Sequence, residues 1–401
     1  MDQATTRVQP GFVLLFTTPV RAGTGDIAAL AMGLLPMDAV VSDIANRWRD
    51  AAEAHVLGPE FQSGRRLQRH PLGRIALTGA ALQPDHADVT LILHVTGVAL
   101  WEVWLPAPEQ DFEEDRWTGW LDVEQPDSLA ATVWARLAPQ VRAVSGQDGL
   151  GRYLAVSVLR LPDTTLDSLL ETQSEALVRL LWRDRQTRGL KPEVVAQELA
   201  RDTCARVGGL SLIGRRSALD LHDLNDETAA EAARLGLAPR SLLPFLVTLE
   251  MLVIERAVLQ GLHDRLTRTG PGTVDDLLRL RSDVTNGLEE YYGTTLAGTR
   301  FGDEVAVQGE EVLGITALFD AVIDRLDMVS FTLTTHAEQR MTMLQFWLTV
   351  VFGATEIGFI ASGIATWYYD SGLARVLMWT LGATGVSAAV LILALRNRLR
   401  D

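Results

Sequence analysis

Cysteine and lysine are almost absent from this chain of 401 residues. The single cysteine, Cys204, excludes an intrachain disulfide framework and any metal site built from several thiolates. We expect Cys204 to be a small buried hydrophobic residue. Lys191 is the only lysine, and no basic cluster offsets the formal net charge of −15. A chain this acidic is not expected to bind nucleic acid.

Sequence motifs of common enzymes are also missing. The chain has no P-loop, no Gly-x-Gly-x-x-Gly run, no Gly-x-Ser-x-Gly elbow and no evident nucleophile–base set, so we expect no enzymatic activity. The run "GGLSLIGRR" (208–216) offers glycines with Arg215 and Arg216, which suit a phosphate-bearing ligand. It lacks the Lys-Ser/Thr pair of a phosphate loop, and the alternative is a turn before a short strand.

The longest apolar runs are confined to the last sixty residues. Residues 346–366 form a run of 21 residues with Glu356 as its one ionisable group, and residues 376–395 form a run of 20 with none. At about 1.5 Å per residue, each run spans about 30 Å, the thickness of a bilayer's hydrocarbon core. The sequence therefore predicts a membrane protein with a C-terminal two-helix hairpin in contact with lipid. The alternative is a pair of buried helices of a soluble protein.

One face of the first apolar run carries polar and small residues. They recur at a spacing of seven, at Thr349, Glu356, Gly363 and Asp370. If several copies place this face around an axis, it is polar enough to line a pore, and Glu356 would form a ring that favours cations. Two alternatives remain: Glu356 is protonated and bonded to the second helix near Thr380 or Thr384, or the membrane boundary lies elsewhere.

The arginines predict how the hairpin is oriented. Arg340 precedes the first run, Arg396, Arg398 and Arg400 follow the second, and Arg375 is the one arginine of the connecting turn. The positive-inside rule then places both termini and the bulk of the chain in the cytoplasm, at the inner membrane. The turn, residues 367–375, would face outward. Its distinctive residues are Trp367, Tyr368, Tyr369, Asp370 and Ser371.

The remainder of the chain predicts an α+β cytoplasmic region. Residues 1–162 contain β-type runs separated by helical patterns, and we interpret them as an α/β sheet domain. Residues 163–312 are mostly helical by period, with breaks at 189–192 and 268–272. From residue 313 an amphipathic stalk helix continues to residue 366 as the first membrane helix, and residues 376–401 form the second with a basic tail. The β-type runs are at 11–18, 73–82, 88–106 and 153–162, and the helical patterns between them are at 36–55 and 127–144.

Two clusters of carboxylates are candidate sites for a divalent cation. The run "EQDFEEDRW" (109–117) holds five acidic residues. The run "DLHDLNDE" (220–227) offers oxygen and imidazole ligands but matches no fixed-spacing site. The alternative for each is a solvated acidic loop. The ligand candidates in the second run are Asp220, His222, Asp223, Asp226 and Glu227.

In its layout the chain resembles the CorA family of magnesium channels. The shared order is an N-terminal α/β domain, long helices, one very long helix entering the membrane, a short outer turn, a second membrane helix and a basic tail. The family's Gly-Met-Asn motif is absent, and "TWYYDSG" (366–372) stands in its place. The resemblance implies a homopentamer and an ion pathway along the axis. Divergent CorA-like proteins also act as membrane effectors in bacterial defence, where the soluble domain receives a small signal molecule.

Three functions are consistent with these patterns. The first is a homo-oligomeric channel, conducting ions or perturbing the membrane, that is gated by its cytoplasmic domain through a small signalling molecule or a protein partner. The second is a magnesium-type cation transporter, and the third is a membrane-anchored sensor or scaffold without a pore. Glu356 separates the first two from the third, because a simple anchor has no need of a carboxylate at bilayer depth.

Overall fold

The computed structural model describes most of the chain and divides it into two compact units. The first consists of residues 1–268 and 278–324, and the second of residues 269–277 and 325–401. The described residues are 6–21, 27–36, 47, 49–54, 56, 67–77, 84–146, 153–204, 207–223, 242–268, 300–369 and 373–398.

Eight strands form the sheet of the first unit. They are β1 (Arg7–Pro19), β2 (Leu67–Ala76), β3 (His86–His94), β4 (Val98–Pro106), β5 (Gln110–Asp111), β6 (Tyr153–Leu161), β7 (Gly209–Ile213) and β8 (Ser217–Asp223). Their order is β2-β3-β4-β1-β6-β8-β7, and the short β5 also pairs with β1. All pairs are antiparallel except β6 and β8, which run parallel. The parallel pair requires a crossover, which contains two helices and β7.

The described residues of the two units contain nine helices with assigned bounds. They are α1 (Ile27–Leu30), α2 (Glu114–Trp120), α3 (Leu129–Ser145), α4 (Leu166–Trp182), α5 (Pro192–Leu199), α6 (Leu242–Arg268), α7 (Arg300–Leu313), α8 (Ile315–Tyr369) and α9 (Leu373–Arg398). Residues 49–54 are also helical. Side-chain caps begin two of the helices: the Ser128 hydroxyl accepts from Ala131 N–H at 3.0 Å, and the Thr165 hydroxyl accepts from Ser168 N–H at 3.4 Å.

One face of the sheet forms the main hydrophobic core. Phe12, Trp101 and Leu159 point to this side from the central strands, and Trp117 and Leu177 meet them from α2 and α4. Ring contacts support the packing, with Phe12 edge-on to Trp117 at a centroid distance of 6.0 Å. Strand β1 is buried almost along its whole length because the other face is covered as well.

The second face is covered by helices but contains charged groups. Helix α6 packs on β1 and β4, and α7 packs on α6 and β7. Ala52 and Val56 add to this layer, against Leu243 and Val247 of α6. Between these apolar contacts lie buried Glu102, Arg160, Asp220 and His222. The first unit is therefore a sheet with one apolar layer and one layer that includes buried charges.

Several sequence predictions match these elements. The runs at 11–18 and 153–162 are β1 and β6, the pattern at 127–144 is α3, and the break at 189–192 separates α4 from α5. The run at 88–106 is two strands, because Val95 and Thr96 form a turn that is followed by Gly97, which has a φ of 79°. Strands β7 and β8 lie inside the stretch 163–312, which is mostly helical by period. The pattern at 36–55 falls partly outside the described residues.

The α6–α7 layer predicts a pH-dependent stability. Burial, with repulsion from Glu310 added, raises the pKa of Glu255 from 4.5 to about 8. The folded state therefore holds a proton that the unfolded chain releases, so Glu255 makes stability fall as pH rises from 4.5 to 8. At pH 8 we expect Glu255→Gln to unfold at a higher temperature than the native chain, because its free energy of unfolding is larger by on the order of a few kcal/mol. Below pH 4.5 we expect the two proteins to match.

The measurement is thermal unfolding of the full chain in detergent between pH 4 and 8, followed by far-UV circular dichroism. Glu311→Gln is the matched control, because Glu311 is an exposed carboxylate on α7. A constant difference between the native chain and Glu255→Gln at every pH would contradict the prediction.

Candidate functional site

The second unit contains an apolar helix of membrane length. Within α8, Met341–Ile364 is long and apolar enough to cross a membrane, and in the described residues it is the one helix of which this holds. Its 24 residues correspond to about 36 Å of helix. In α9 the corresponding apolar stretch of the described residues is Thr380–Val390. Helix α8 itself covers the range over which the sequence predicts a continuous helix, 315–366.

Helices α8 and α9 meet along a stripe of small residues. Val350, Ala354 and Gly358 are buried and recur every four residues on α8. At Gly358 the approach is closest, since an added Cβ would lie 2.0 Å from Thr384 Oγ1 and 3.5 Å from Thr380 O. Small residues of this kind let two helices approach closely in lipid. The stripe fixes which side of α8 faces α9.

The polar line lies on the opposite side of α8. Thr349, Glu356 and Gly363 are exposed. At 3.6 residues per turn, Glu356 is rotated by roughly 160° from both Ala354 and Gly358. The alternative in which Glu356 bonds to Thr380 or Thr384 therefore does not fit the hairpin, because those threonines face Gly358. The fourth member of the line, Asp370, lies outside the described residues.

Apolar side chains flank Glu356 on the open surface of α8. Phe352, Phe359 and Ile360 are each more than 60% exposed within the single chain. An apolar surface of this length on a helix requires lipid or another protein surface to cover it. Glu356 is thus an exposed carboxylate in an apolar surface that water does not ordinarily cover.

Helix α8 continues into the first residues of the outer turn that the sequence predicts. The backbone of Trp367, Tyr368 and Tyr369 is still helical as the end of α8. None of these three residues is a proline or a glycine, the residue types that most readily end a helix. Asp370 and Ser371 lie outside the described residues, so the predictions for them remain predictions.

The candidate metal cluster at 220–227 is divided between a buried strand and undescribed residues. Asp220, His222 and Asp223 belong to β8, and Asp226 and Glu227 lie outside the described residues. The part of the cluster that is described is therefore not a solvated loop. The Asp223 carboxylate accepts from Leu166 N–H at 2.9 Å, at the start of α4. Among described residues, no group of three or more His, Cys, Asp and Glu side chains is placed to hold a metal ion.

Asp220 is fully buried and paired. It accepts from Arg160 Nη2 at 3.1 Å and from Ser211 Oγ at 2.8 Å, and His222 Nε2 lies 3.1 Å from its Oδ1. Burial alone would raise the pKa of Asp220, but His222, Arg160 and Ser211 outweigh burial and hold it well below its usual range. Asp220 is therefore ionised and fixed in position.

The other candidates are at the surface. Arg215 and Arg216 are exposed in the turn between β7 and β8, which agrees with the alternative of a turn beside a short strand.

In the acidic run 109–117, Arg179 of α4 donates to Glu114 at 2.8 Å and to Asp115 at 2.6 Å. These carboxylates hold α2 against α4, so the run is not simply a solvated loop.

A buried ion network was missed by the sequence analysis. Arg49 pairs with Glu102 of β4, with a bond of 2.6 Å from Nη2 to Oε1, and Arg69 of β2 pairs with Glu53 and with Glu250 of α6. The five residues are far apart in sequence, and each by itself resembles a surface charge. Only the fold shows that they meet.

Within the part of the chain that the structure describes, the ion pairs of this network join three carboxylates to two guanidiniums. Burial alone would raise the pKa of Glu102, but Arg49 and Arg69 hold it below the usual range. Burial raises the pKa of Glu250 to about 7, and nearby Glu102 adds to this shift. A proton on Glu250 leaves two carboxylates for two guanidiniums, so the network is electrically balanced below about pH 7.

Comparisons with known proteins give limited information. No family model matches the chain, and no curated protein sequence matches it. A solved structure described as "structure of the full-length CmaX protein" aligns with 64% of this chain and 91% of its own chain, at 15% identity and a TM-score of 0.25. A TM-score of this size does not establish a shared fold.

The hairpin interface leads to a test of its closest contact. Gly358→Ala would place a Cβ 2.0 Å from Thr384 Oγ1, so we expect the hairpin to be destabilised. Removing that hydroxyl with Thr384→Ala should restore most of the loss, since the remaining Thr384 Cβ would lie at an ordinary 3.4 Å. The measurement is the midpoint of thermal unfolding in detergent.

Gly363→Ala is the matched control, because a Cβ at Gly363 meets nothing within 4 Å. Equal effects of Gly358→Ala and Gly363→Ala would show that α8 and α9 do not pack through Gly358.

Proposed function

We propose that this chain is an integral membrane protein whose copies associate through the open face of α8, so that Glu356 lines a pathway for cations. The first unit would be the cytoplasmic domain that gates this pathway. The observation that carries the proposal is the position of Glu356, which the hairpin leaves on the side away from α9.

The cost of a carboxylate in lipid supports this assignment. An ionised side chain near the bilayer centre costs several kcal/mol unless it faces water or a partner. Within the described residues α9 supplies no partner, because its contact with α8 is on the opposite side. A water-filled axis between copies would supply the water, and a ring of Glu356 carboxylates there would favour cations.

The CorA-like layout of the sequence adds the expected assembly. It implies five copies with the long helix nearest the axis, and the arginine distribution predicts that both termini are in the cytoplasm. Since the Gly-Met-Asn motif is absent, cation preference in this proposal depends on Glu356 and not on the outer turn. A channel that opens when its cytoplasmic domain receives a signal, as in CorA-like defence effectors, therefore fits better than a magnesium transporter.

Ion flux through liposomes tests the role of Glu356. Glu356→Gln keeps the shape and removes the charge, so we expect cation flux to fall several-fold while the oligomer survives. Flux is compared at matched oligomer content, measured by light scattering. Equal flux from both proteins would remove Glu356 from the pathway, and no flux from either under activating conditions would favour a scaffold.

Relocating the carboxylate tests which face lines the pathway. Thr349 and Thr355 are both exposed, and each hydroxyl donates to the carbonyl four residues earlier, at 2.8 and 2.6 Å. Thr349 is on the line of Glu356, whereas Thr355 is rotated by about 100° from it. In the Glu356→Gln background, Thr349→Glu should restore flux and Thr355→Glu should not. Restoration by Thr355→Glu alone would contradict the proposed face.

Surface labelling tests the predicted topology. In a Cys204→Ser background the chain has no other cysteine, so Ser371→Cys gives a single thiol in the predicted outer turn. We expect a membrane-impermeant maleimide to label it on intact cells, as the arginine distribution requires. A cysteine replacing the C-terminal Asp401 should be labelled only after lysis. The reverse pattern would overturn the orientation.

A further inference from the structure

Cys204 occupies a fixed position beside the outermost strand of the sheet. The Asp202 carboxylate accepts from Cys204 N–H and from Ser211 N–H, each at 2.8 Å. Thr203 N–H donates to Ser211 O at 3.0 Å. These bonds tie residues 202–204 to β7, whose other edge pairs with β8. Cys204 is partly exposed, in contrast to the buried position that the sequence analysis expects.

Gly209 brings the thiol of Cys204 close to an imidazole. A Cβ added to Gly209 would lie 2.6 Å from Cys204 Sγ and 2.6 Å from His222 Nδ1. Cys204 Sγ and His222 Nδ1 each lie 2.6 Å from the same point, so the two atoms are at most about 5.2 Å apart. Gly209 does not have a positive φ, so close approach, and not backbone conformation, explains the glycine.

Asp220 sets the orientation of the His222 ring. Its Oδ1 lies 3.1 Å from His222 Nε2. Because Asp220 is ionised and can only accept, Nε2 carries a proton and, in the neutral ring, Nδ1 is left as the acceptor. Nδ1 is the nitrogen on the Cys204 side. Cys204, His222 and Asp220 are thus arranged in space as a nucleophile, its base and a group that orients the base.

A buried cation completes the surroundings of Cys204. Arg160 is 3% exposed, and within the described residues its Nε has no hydrogen-bond partner. Burial lowers the pKa of Arg160, while the charges of Asp220 and Cys204 act to raise it, so the guanidinium and the thiol are within electrostatic range. A nearby cation stabilises a thiolate.

The geometry points to Cys204 as a nucleophilic modification site, with His222 as its base and Asp220 as the positioning residue, that takes small α,β-unsaturated carbonyl compounds. The Cys204 proton moves to His222 Nδ1, and the sulfur bonds to the β-carbon. The π electrons of the C=C bond move towards the carbonyl oxygen. The resulting enolate takes the proton back from His222, so a thioether forms with no leaving group and no change in total charge.

N-ethylmaleimide tests the proposal directly, because it belongs to this class and Cys204 is the only cysteine. At pH 6.5 an ordinary thiol, with a pKa of about 8.5, is about 1% ionised. We expect the folded full chain in detergent to react at pH 6.5 about fivefold faster than the chain unfolded in guanidinium. The gain is limited, since a more acidic thiol is a weaker nucleophile. Equal or slower reaction of the folded chain would overturn the proposal.

Variants test whether the rate at which Cys204 reacts depends on activation by His222 or only on the exposure of the thiol to solvent. His222→Gln should lose the rate advantage at pH 6.5 but react like the native chain above pH 9, where the thiol ionises without a base. His86→Gln, at an exposed histidine-aspartate pair on β3, is the control and should change neither rate. An unchanged rate in His222→Gln at pH 6.5 would contradict the role of His222. If His222→Gln does not fold, the comparison of folded and unfolded native chain still decides the proposal.

Discussion

The covering of both sheet faces is the constraint on which the rest of the first unit depends. A sheet with one solvated face can leave its charges in water, but here α6 and α7 cover the second face. Every charge on that face must then be paired or neutral. Glu102 is paired with Arg49, Asp220 with Arg160, and Glu250 tends to hold a proton. The two polar clusters of the first unit follow from this one requirement.

In the second unit the corresponding constraint is the close contact between Gly358, which has no side chain, and Thr384. Because Gly358 has no Cβ, Thr384 can approach α8 at a distance that any other residue would block. This contact determines which side of α8 is used by α9 and which side is left open. The exposed position of Glu356 is thus a consequence of the position of Gly358, on the same helix and half a turn away.

The sequence predicts those features that are local. Period and length predict α3 and α8, and the heptad spacing places Thr349, Glu356 and Gly363 on one face. Features that depend on tertiary pairing could not be predicted in the same way. Nothing near Arg69 in sequence indicates Glu250, and His222 resembles a loop ligand until β8 is known to be buried. Gly209 and Gly358 resemble ordinary small residues, although each marks a close approach.

A carboxylate in apolar surroundings has a small number of outcomes, and this chain shows two of them. Glu102 meets arginines and stays ionised, whereas burial, with repulsion from Glu310 added, raises the pKa of Glu255 and favours its protonated form at neutral pH. Glu356 has neither a cation nor a second buried carboxylate beside it within the described part of its own chain. In the proposed assembly, water or another copy would supply its partner. In that proposal the open face of α8 is covered by something other than lipid, so that Glu356 would belong to an assembly as well as to a pathway.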